Sequence, residues 1–262
     1  MSGWWKRLTG GLAPDTLVLA VLTVAIFVAM SLLLSTRFLN GYNLQSLMFS
    51  APELGLLSIA MMLSMLPGGI DLSLVSIANL SAVIVALFFK YLAATTGVAV
   101  ADLGIGYTML GWSLALAVGA MAGALNGLLI TRLGVTAILA TIGTSQLFFG
   151  FSLVLTGGPA IQGFPLAWTT IGNAAPLGIP LPALVFIAVL VIVALALRRT
   201  APGVSLTFVG TNMRAAVFSG IRTRRLVFFT FVVCGMIASL AGILLSARTN
   251  AASADYGSSY LL

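Results

Sequence analysis

The chain has no histidine and a single cysteine, Cys234, among 262 residues. Those absences exclude disulfides, Cys/His metal sites, Cys–His nucleophile pairs and imidazole acid–base catalysis together. Cys234 lies in an apolar run and reads as a small helix-packing residue, not a reactive thiol. Charge is the next scarcity. Only 6% of the residues are charged, whereas a soluble domain carries about 25% because its surface must face water. Twelve basic and five acidic side chains cannot solvate the outside of a soluble protein of this length, so lipid is the solvent that fits. There is also no Gly-x-x-x-x-Gly-Lys-Ser/Thr phosphate loop, so any ATP must be held by another polypeptide.

What the chain has in abundance is apolar sequence, at 60%. A helix crossing the hydrocarbon core needs about 20 mainly apolar residues. Seven segments approach this: Thr16–Leu34, Leu44–Leu66, Leu74–Phe89, Tyr107–Ile130, Val135–Thr156, Leu181–Leu197 and Leu226–Ser246. The expected fold is all-α, a polytopic membrane helical bundle of at least seven spans forming one transmembrane domain over 1–262. The third segment is short, which predicts a tilted helix or a broken unit shared with the second. The first is too long for a signal h-region and no A-x-A site follows it, so it reads as a retained span.

The net charge of +7 does not point to nucleic acid, because the basic residues sit between apolar spans, where they report orientation. With a cytoplasmic N-terminal segment, 1–15, the inside holds Lys6, Arg7, Arg132, Arg198, Arg199, Arg214, Arg222, Arg224 and Arg225. The outside then holds Arg37, Lys90 and Arg248, which satisfies the positive-inside rule. Two connections are long. Gly157–Pro180 is expected outside, with Phe164 and Trp168 either docking a partner or anchoring at headgroup depth. Arg198–Arg225 is expected inside, where its arginines also suit anionic membrane lipid. The ending Tyr260-Leu261-Leu262 reads as the start of a further span, so the chain is expected to stop before its last helices.

The segment Pro67-Gly68-Gly69-Ile70-Asp71-Leu72-Ser73 interrupts an apolar stretch with a helix breaker, two glycines and a carboxylate. Non-helical backbone at membrane depth survives only where protein or a water-filled cavity satisfies it, and an ionisable residue there is costly. Gly68, Gly69, Asp71 and Ser73 are therefore candidates for a gate in a solute pathway. The plainer reading of Asp71 is a cap on the next helix. Glu53 and Asn126 are further pathway candidates, and each also reads as a polar group bonded within the bundle, as does Thr144. Gly119 and Gly123 have the spacing that lets membrane helices approach closely, here within one bundle. Near the arginines, Thr211 or Asn212 can cap a short helix that Gly220 ends. Such a helix is too short to stand alone in water and needs a partner surface or the lipid headgroups.

These blocks carry a resemblance. Gly-Gly-Ile-Asp-Leu-Ser (69–73 with Gly68), Gly123-Ala124-Leu125-Asn126-Gly127, and Ala140-Thr141-Ile142-Gly143-Thr144 followed by Thr156-Gly157-Gly158 are similar to signatures of ribose-type bacterial ABC importer permeases, the branched-chain and monosaccharide class. The family usually continues its first signature Val-Gly-Ser, where this chain has Leu74-Val75-Ser76. The segment Phe208–Ile221 resembles the importer coupling helix. Two outer-loop stretches, Gly163-Phe164-Pro165 and Leu177–Pro182, resemble the autoinducer-2 branch of the family.

The resemblance implies an ABC importer transmembrane subunit in the bacterial inner membrane, moving a sugar or sugar-like solute without an ATPase site of its own. Its partners would be cytoplasmic ATPase subunits that carry the ATP, a second permease copy or homologue, and a periplasmic solute-binding protein. Thr211, Asn212, Arg214, Ala215, Ala216, Phe218 and Gly220 would form the coupling surface. No cofactor or metal is expected on this chain. Two other classes compete. An ion-coupled secondary transporter also uses broken helices and membrane carboxylates. An integral membrane enzyme is disfavoured by the missing histidine and the lack of a carboxylate pair at helix-face spacing, although a serine-based site stays open.

Overall fold

The computed structural model describes residues 14–34 and 38–256. The orientation markers Lys6, Arg7 and Arg37 and the terminal Tyr260–Leu262 lie outside the described residues. The chain divides into two compact units, residues 1–47 and 48–262. The first contains helix α1 (Pro14–Leu33), whose Phe27 meets Phe38 edge to face at 5.3 Å, and the start of α2 (Gly41–Met65). The second continues α2 and adds α3 (Leu74–Thr96), α4 (Ile105–Thr131), α5 (Ala137–Thr156), strand β1 (Ile161–Gln162) and α6 (Leu166–Asn173). It ends with α7 (Leu181–Arg199), α8 (Ala201–Thr211), α9 (Met213–Phe218), α10 (Thr223–Thr249) and β2 (Ala251–Ala252).

Among the described residues, six helices are long and apolar enough to cross a membrane: α2, α3, α4, α5, α7 and α10. The apolar stretch described in α1, Leu17–Leu33, is shorter, so seven spans are not established. The third helix is longer than expected. It runs past Lys90 to Thr96 and stops at Gly97, whose φ of +69° a side chain would resist. Lys90 faces out of the bundle, so its charge does not end the helix.

The second unit is inverted relative to a soluble protein. Asn79, Asn126, Ser64, Ser81, Thr108 and Ser239 are buried, while Ile187, Leu190, Ile192 and Leu195 of α7 are exposed. Apolar side chains outside and satisfied polar groups inside are the arrangement lipid demands. This is a multi-pass membrane protein. Its broadest helix contact joins α4 to α10, which run antiparallel. A Cβ on Gly119 would strike the Gly235 carbonyl, and one on Gly123 the Phe231 carbonyl. The pair seen at small-residue spacing therefore packs within the bundle. Cys234 is fully buried beside that seam and gives its thiol proton to the Ala60 carbonyl at 3.2 Å.

The long outer connection is not free loop. β1 pairs antiparallel with β2, Ile161 opposite Ala252 and Gln162 opposite Ala251, a pairing the sequence reading does not contain. Asn250, in the left-handed conformation at φ +53°, accepts from the Gly163 N–H through its carbonyl and from the Phe164 N–H through its side chain. Trp168 is fully buried, stacked on Phe164 and edge-on to Phe89 at 5.3 Å, and its indole N–H donates to Ser246 Oγ. The expectation of a docking or headgroup tryptophan is corrected: Trp168 is core, because its one polar atom finds a partner inside.

Candidate functional site

The corner between α2 and α3 is built from the residues that its composition singles out. Gly68 has φ +88°, and a Cβ on Gly69 would crowd Ala137 and the Phe231 ring. The turn is held from α5: Thr141 Oγ1 donates to the Ile70 carbonyl at 3.0 Å and accepts from the Leu72 N–H at 3.2 Å. Asp71 is completely buried. Its Oδ1 accepts from the Ser73 N–H at 3.0 Å and from Ser73 Oγ at 2.6 Å. Ser73 is itself the N-cap residue of α3, so Asp71 shapes the turn one step ahead of the cap instead of capping the helix directly.

From Ser73 the bonds run inward as a chain. Asn126 Nδ2 donates to Ser73 Oγ at 2.7 Å, and Thr144 Oγ1 donates to Asn126 Oδ1 at 2.6 Å. One directed series thus joins α5, α4, the start of α3 and the Asp71 carboxylate. In a low-dielectric interior such bonds strengthen one another. Asp71 Oδ2 is the exception, making no hydrogen bond among the described residues. A buried acceptor left without a partner costs about 1–3 kcal/mol, more when charged. Thr141 and the Ser76–Ser145 hydroxyl pair at 2.9 Å extend this polar core. Neither is a candidate site on sequence alone, because single serines and threonines are common in membrane helices.

Asp71 lines a cavity of about 690 Å³, together with Leu57, Met61 and Met65 of α2 and Thr207 and Thr211 of α8. Gly210 closes the junction: a Cβ there would collide with the carbonyl oxygen of Leu66, the residue before the corner. The arginine-flanked segment and the glycine corner are therefore in backbone contact. Gly210 is not among the candidates above, because nothing in sequence shows which backbone a glycine touches.

The arginine-flanked segment holds two helices where one was expected. Thr200 Oγ1 caps α8 by accepting from the Gly203 N–H, and Gly203 packs against the Ala196 carbonyl. Asn212 Oδ1 caps α9 by accepting from the Ala215 N–H at 3.0 Å. Gly220, at φ +80°, ends it with the Ile221 N–H returning to the Ala216 carbonyl. Ala216 is fully buried, Thr211, Asn212, Arg214 and Gly220 are exposed, Ala215 is half-buried, and Phe218 projects with 91% of its surface free.

Glu53 is placed apart from this corner. Its carboxylate takes both Arg248 Nε at 2.8 Å and Nη2 at 3.2 Å, a bidentate pair between the middle of α2 and the end of α10. A second cavity, of about 270 Å³, lies toward the β1–β2 end and is lined by Ser76, Asn79, Ser145, Gln146 and Asp255. Asn79 Nδ2 donates to the Ala254 and Tyr256 carbonyls, holding the segment after β2 against α3. Among the described residues no group of three or more His, Cys, Asp or Glu side chains is placed to hold a metal ion.

A family model described as branched-chain amino acid transport system / permease component matches residues 43–262. The autoinducer 2 import system permease protein LsrD of Photorhabdus temperata is 31% identical over 229 residues, 84% of this chain and 65% of that protein. The proteins of that name from Yersinia enterocolitica and Escherichia coli strain SMS-3-5 are 30% and 31% identical over the same length, 65% and 66% of their own chains. The matched part thus spans slightly less than two thirds of these relatives. No solved structure matches the chain.

Proposed function

The chain belongs to the branched-chain amino acid transport system / permease component family, and from that premise we propose that it is the membrane-spanning permease subunit of an ATP-driven ABC importer in a bacterial inner membrane. Its cargo is a sugar or sugar-like solute. The relatives named for autoinducer 2 import make that molecule the first candidate. The N-terminus and the α8–α9 segment face the cytoplasm. The full transporter pairs this chain with a second permease copy or homologue, with cytoplasmic ATPase subunits that bind the ATP, and with a periplasmic solute-binding protein. This chain carries no ATPase site and catalyses no covalent step.

The observation that carries this reading is the contact between Gly210 and the Leu66 carbonyl. Closure of the ATPase subunits presses on α9, with Phe218 as the inserted side chain and Arg214 at the rim. α8 passes the displacement through Gly210 to the turn at Pro67–Ser73. Movement there reshapes the cavity that Asp71 lines, with Gly68 and Gly69 as the pliable part of the gate. Asp71 Oδ2, which has no hydrogen-bond partner among the described residues, accepts a hydrogen bond from a passing hydroxyl. Ser73 and Asn126 keep that carboxylate in place. The rival ion-coupled mechanism needs carboxylates free to bind and release cations, and Glu53 is already committed to Arg248.

The test is uptake by proteoliposomes that hold the complete transporter and its binding protein. ATP inside the vesicles is expected to drive autoinducer 2 uptake, with none when the ATPase subunits are left out. Uptake that follows a proton or sodium gradient in their absence would overturn the assignment.

A further inference from the structure

Two chambers meet at one side chain of α3. The 690 Å³ cavity is lined by Leu74 and Val75, and the 270 Å³ cavity toward the sheet is lined by Val75 and Ser76. Successive residues of a helix point about 100° apart, so the first turn of α3 gives Leu74 to one chamber, Ser76 to the other, and Val75 to both. A third void, of about 10 Å³, shares Leu57 and Val75 with the first chamber and Val75 and Asn79 with the second, and is also lined by Glu53 and Tyr256. A void of that size is at or below the roughly 10–15 Å³ needed to hold one water. Valine is held to one dominant rotamer in a helix, so it forms a fixed shutter, not a swinging one.

The chamber toward the sheet has a definite chemistry. It offers the hydroxyls of Ser76 and Ser145, the amides of Asn79 and Gln146, the Asp255 carboxylate, and the ring of Phe149. Among the described residues no cation lines it, so a phosphate or carboxylate finds no counter-charge from them. Both Asn79 N–H groups are used by the Ala254 and Tyr256 carbonyls, leaving its Oδ1 as an acceptor for hydroxyl donors. At about 270 Å³ the chamber falls below the ~300–1,000 Å³ of pockets for drug-sized ligands.

Resting on the permease reading above, we propose that this chamber is a way-station for a small, uncharged, polyhydroxylated solute, and that Val75 is the septum separating it from the Asp71 chamber. Passage requires α3 to shift enough to lift Val75 out of line, which couples the septum to the corner immediately before it.

The experiment uses the complete transporter in proteoliposomes. Val75→Phe is expected to lower ATP-dependent uptake about tenfold or more, the order a misplaced methylene or larger group gives, while ATP hydrolysis continues. Val75→Ala is expected to raise solute leak in the absence of ATP severalfold. Ribose and unphosphorylated autoinducer 2 should compete for uptake, and ribose 5-phosphate should not. A Val75→Cys transporter provides a readout that does not depend on uptake. Its thiol should react with a membrane-impermeant maleimide from one side without nucleotide and from the other with nucleotide trapped. Wild-type uptake and leak in both size variants, or labelling from one side in both states, would overturn the septum while leaving the permease reading intact. A wild-type complex that moves no solute with ATP would overturn both.

Discussion

At the scale of single residues, the decisive group is Asp71. It is buried, it organises the α3 start through Ser73, and one of its oxygens has no partner among the described residues. Asp71→Asn is expected to slow uptake about tenfold or more, since one oxygen becomes a donor facing a solute that brings donors of its own. Asp102→Asn, at an exposed turn, should leave uptake unchanged. Equal rates in the two variants would remove Asp71 from the pathway. Asp71, Asn126 and Thr144 were all legible in the sequence, because a polar group inside an apolar run needs a reason. Their direct linkage was not. Nor was the Glu53–Arg248 pair visible, since its members lie 195 residues apart and each reads differently alone.

At the scale of elements, the capping signals of α9 narrowed its start to Thr211 or Asn212, of which Asn212 is the cap, and gave Gly220 at its end, because caps act locally. The start of α8 carries no helix signal in sequence, because Thr200-Ala201-Pro202-Gly203 combines two residue types that break helices. In place, the proline sits in the first turn, where no N–H is missed, and the glycine lets α8 lie on the end of α7. Ala216 turns inward and Phe218 outward, so the test of coupling belongs to Phe218. Phe218→Asp should abolish copurification with the ATPase subunits while membrane insertion and thermal stability hold. Retained copurification would discredit α9 as the contact. The small-residue seam gives a stability prediction. Gly119→Leu must displace the Gly235 backbone and should cost about 1–3 kcal/mol or more, read as a lower melting temperature in detergent. Gly143→Ala, with open space around it, should be neutral or slightly stabilising.

At the scale of the whole molecule, the class of fold was the most legible feature. Scarce charge and long apolar runs leave few alternatives to a helical bundle in lipid, and all six helices that qualify as spans overlap predicted segments. What eluded the sequence were contacts between distant segments: β1 with β2, Trp168 with Ser246, Gly210 with Leu66. The bidentate Glu53–Arg248 pair ties the second helix to the last across this assembly. Glu53 is buried while Arg248 stays 27% exposed, and losing hydrogen bonds to a charged group costs about 1.5–3 kcal/mol. Glu53→Gln should therefore lower the melting temperature markedly, and Glu53→Leu with Arg248→Met should recover part of the loss. No recovery would show that the pair does more than hold the helices together.

The seam between α4 and α10 has a mechanical corollary. With main chain resting on main chain at Gly119, Gly123 and Gly235, little side-chain bulk is left there to slide or re-pack, so these two rods turn as a single stiff post. Whatever rocking exposes the interior to one face and then to the other must bend elsewhere, and the glycine-softened elbow at 67–69 is the nearest joint able to yield.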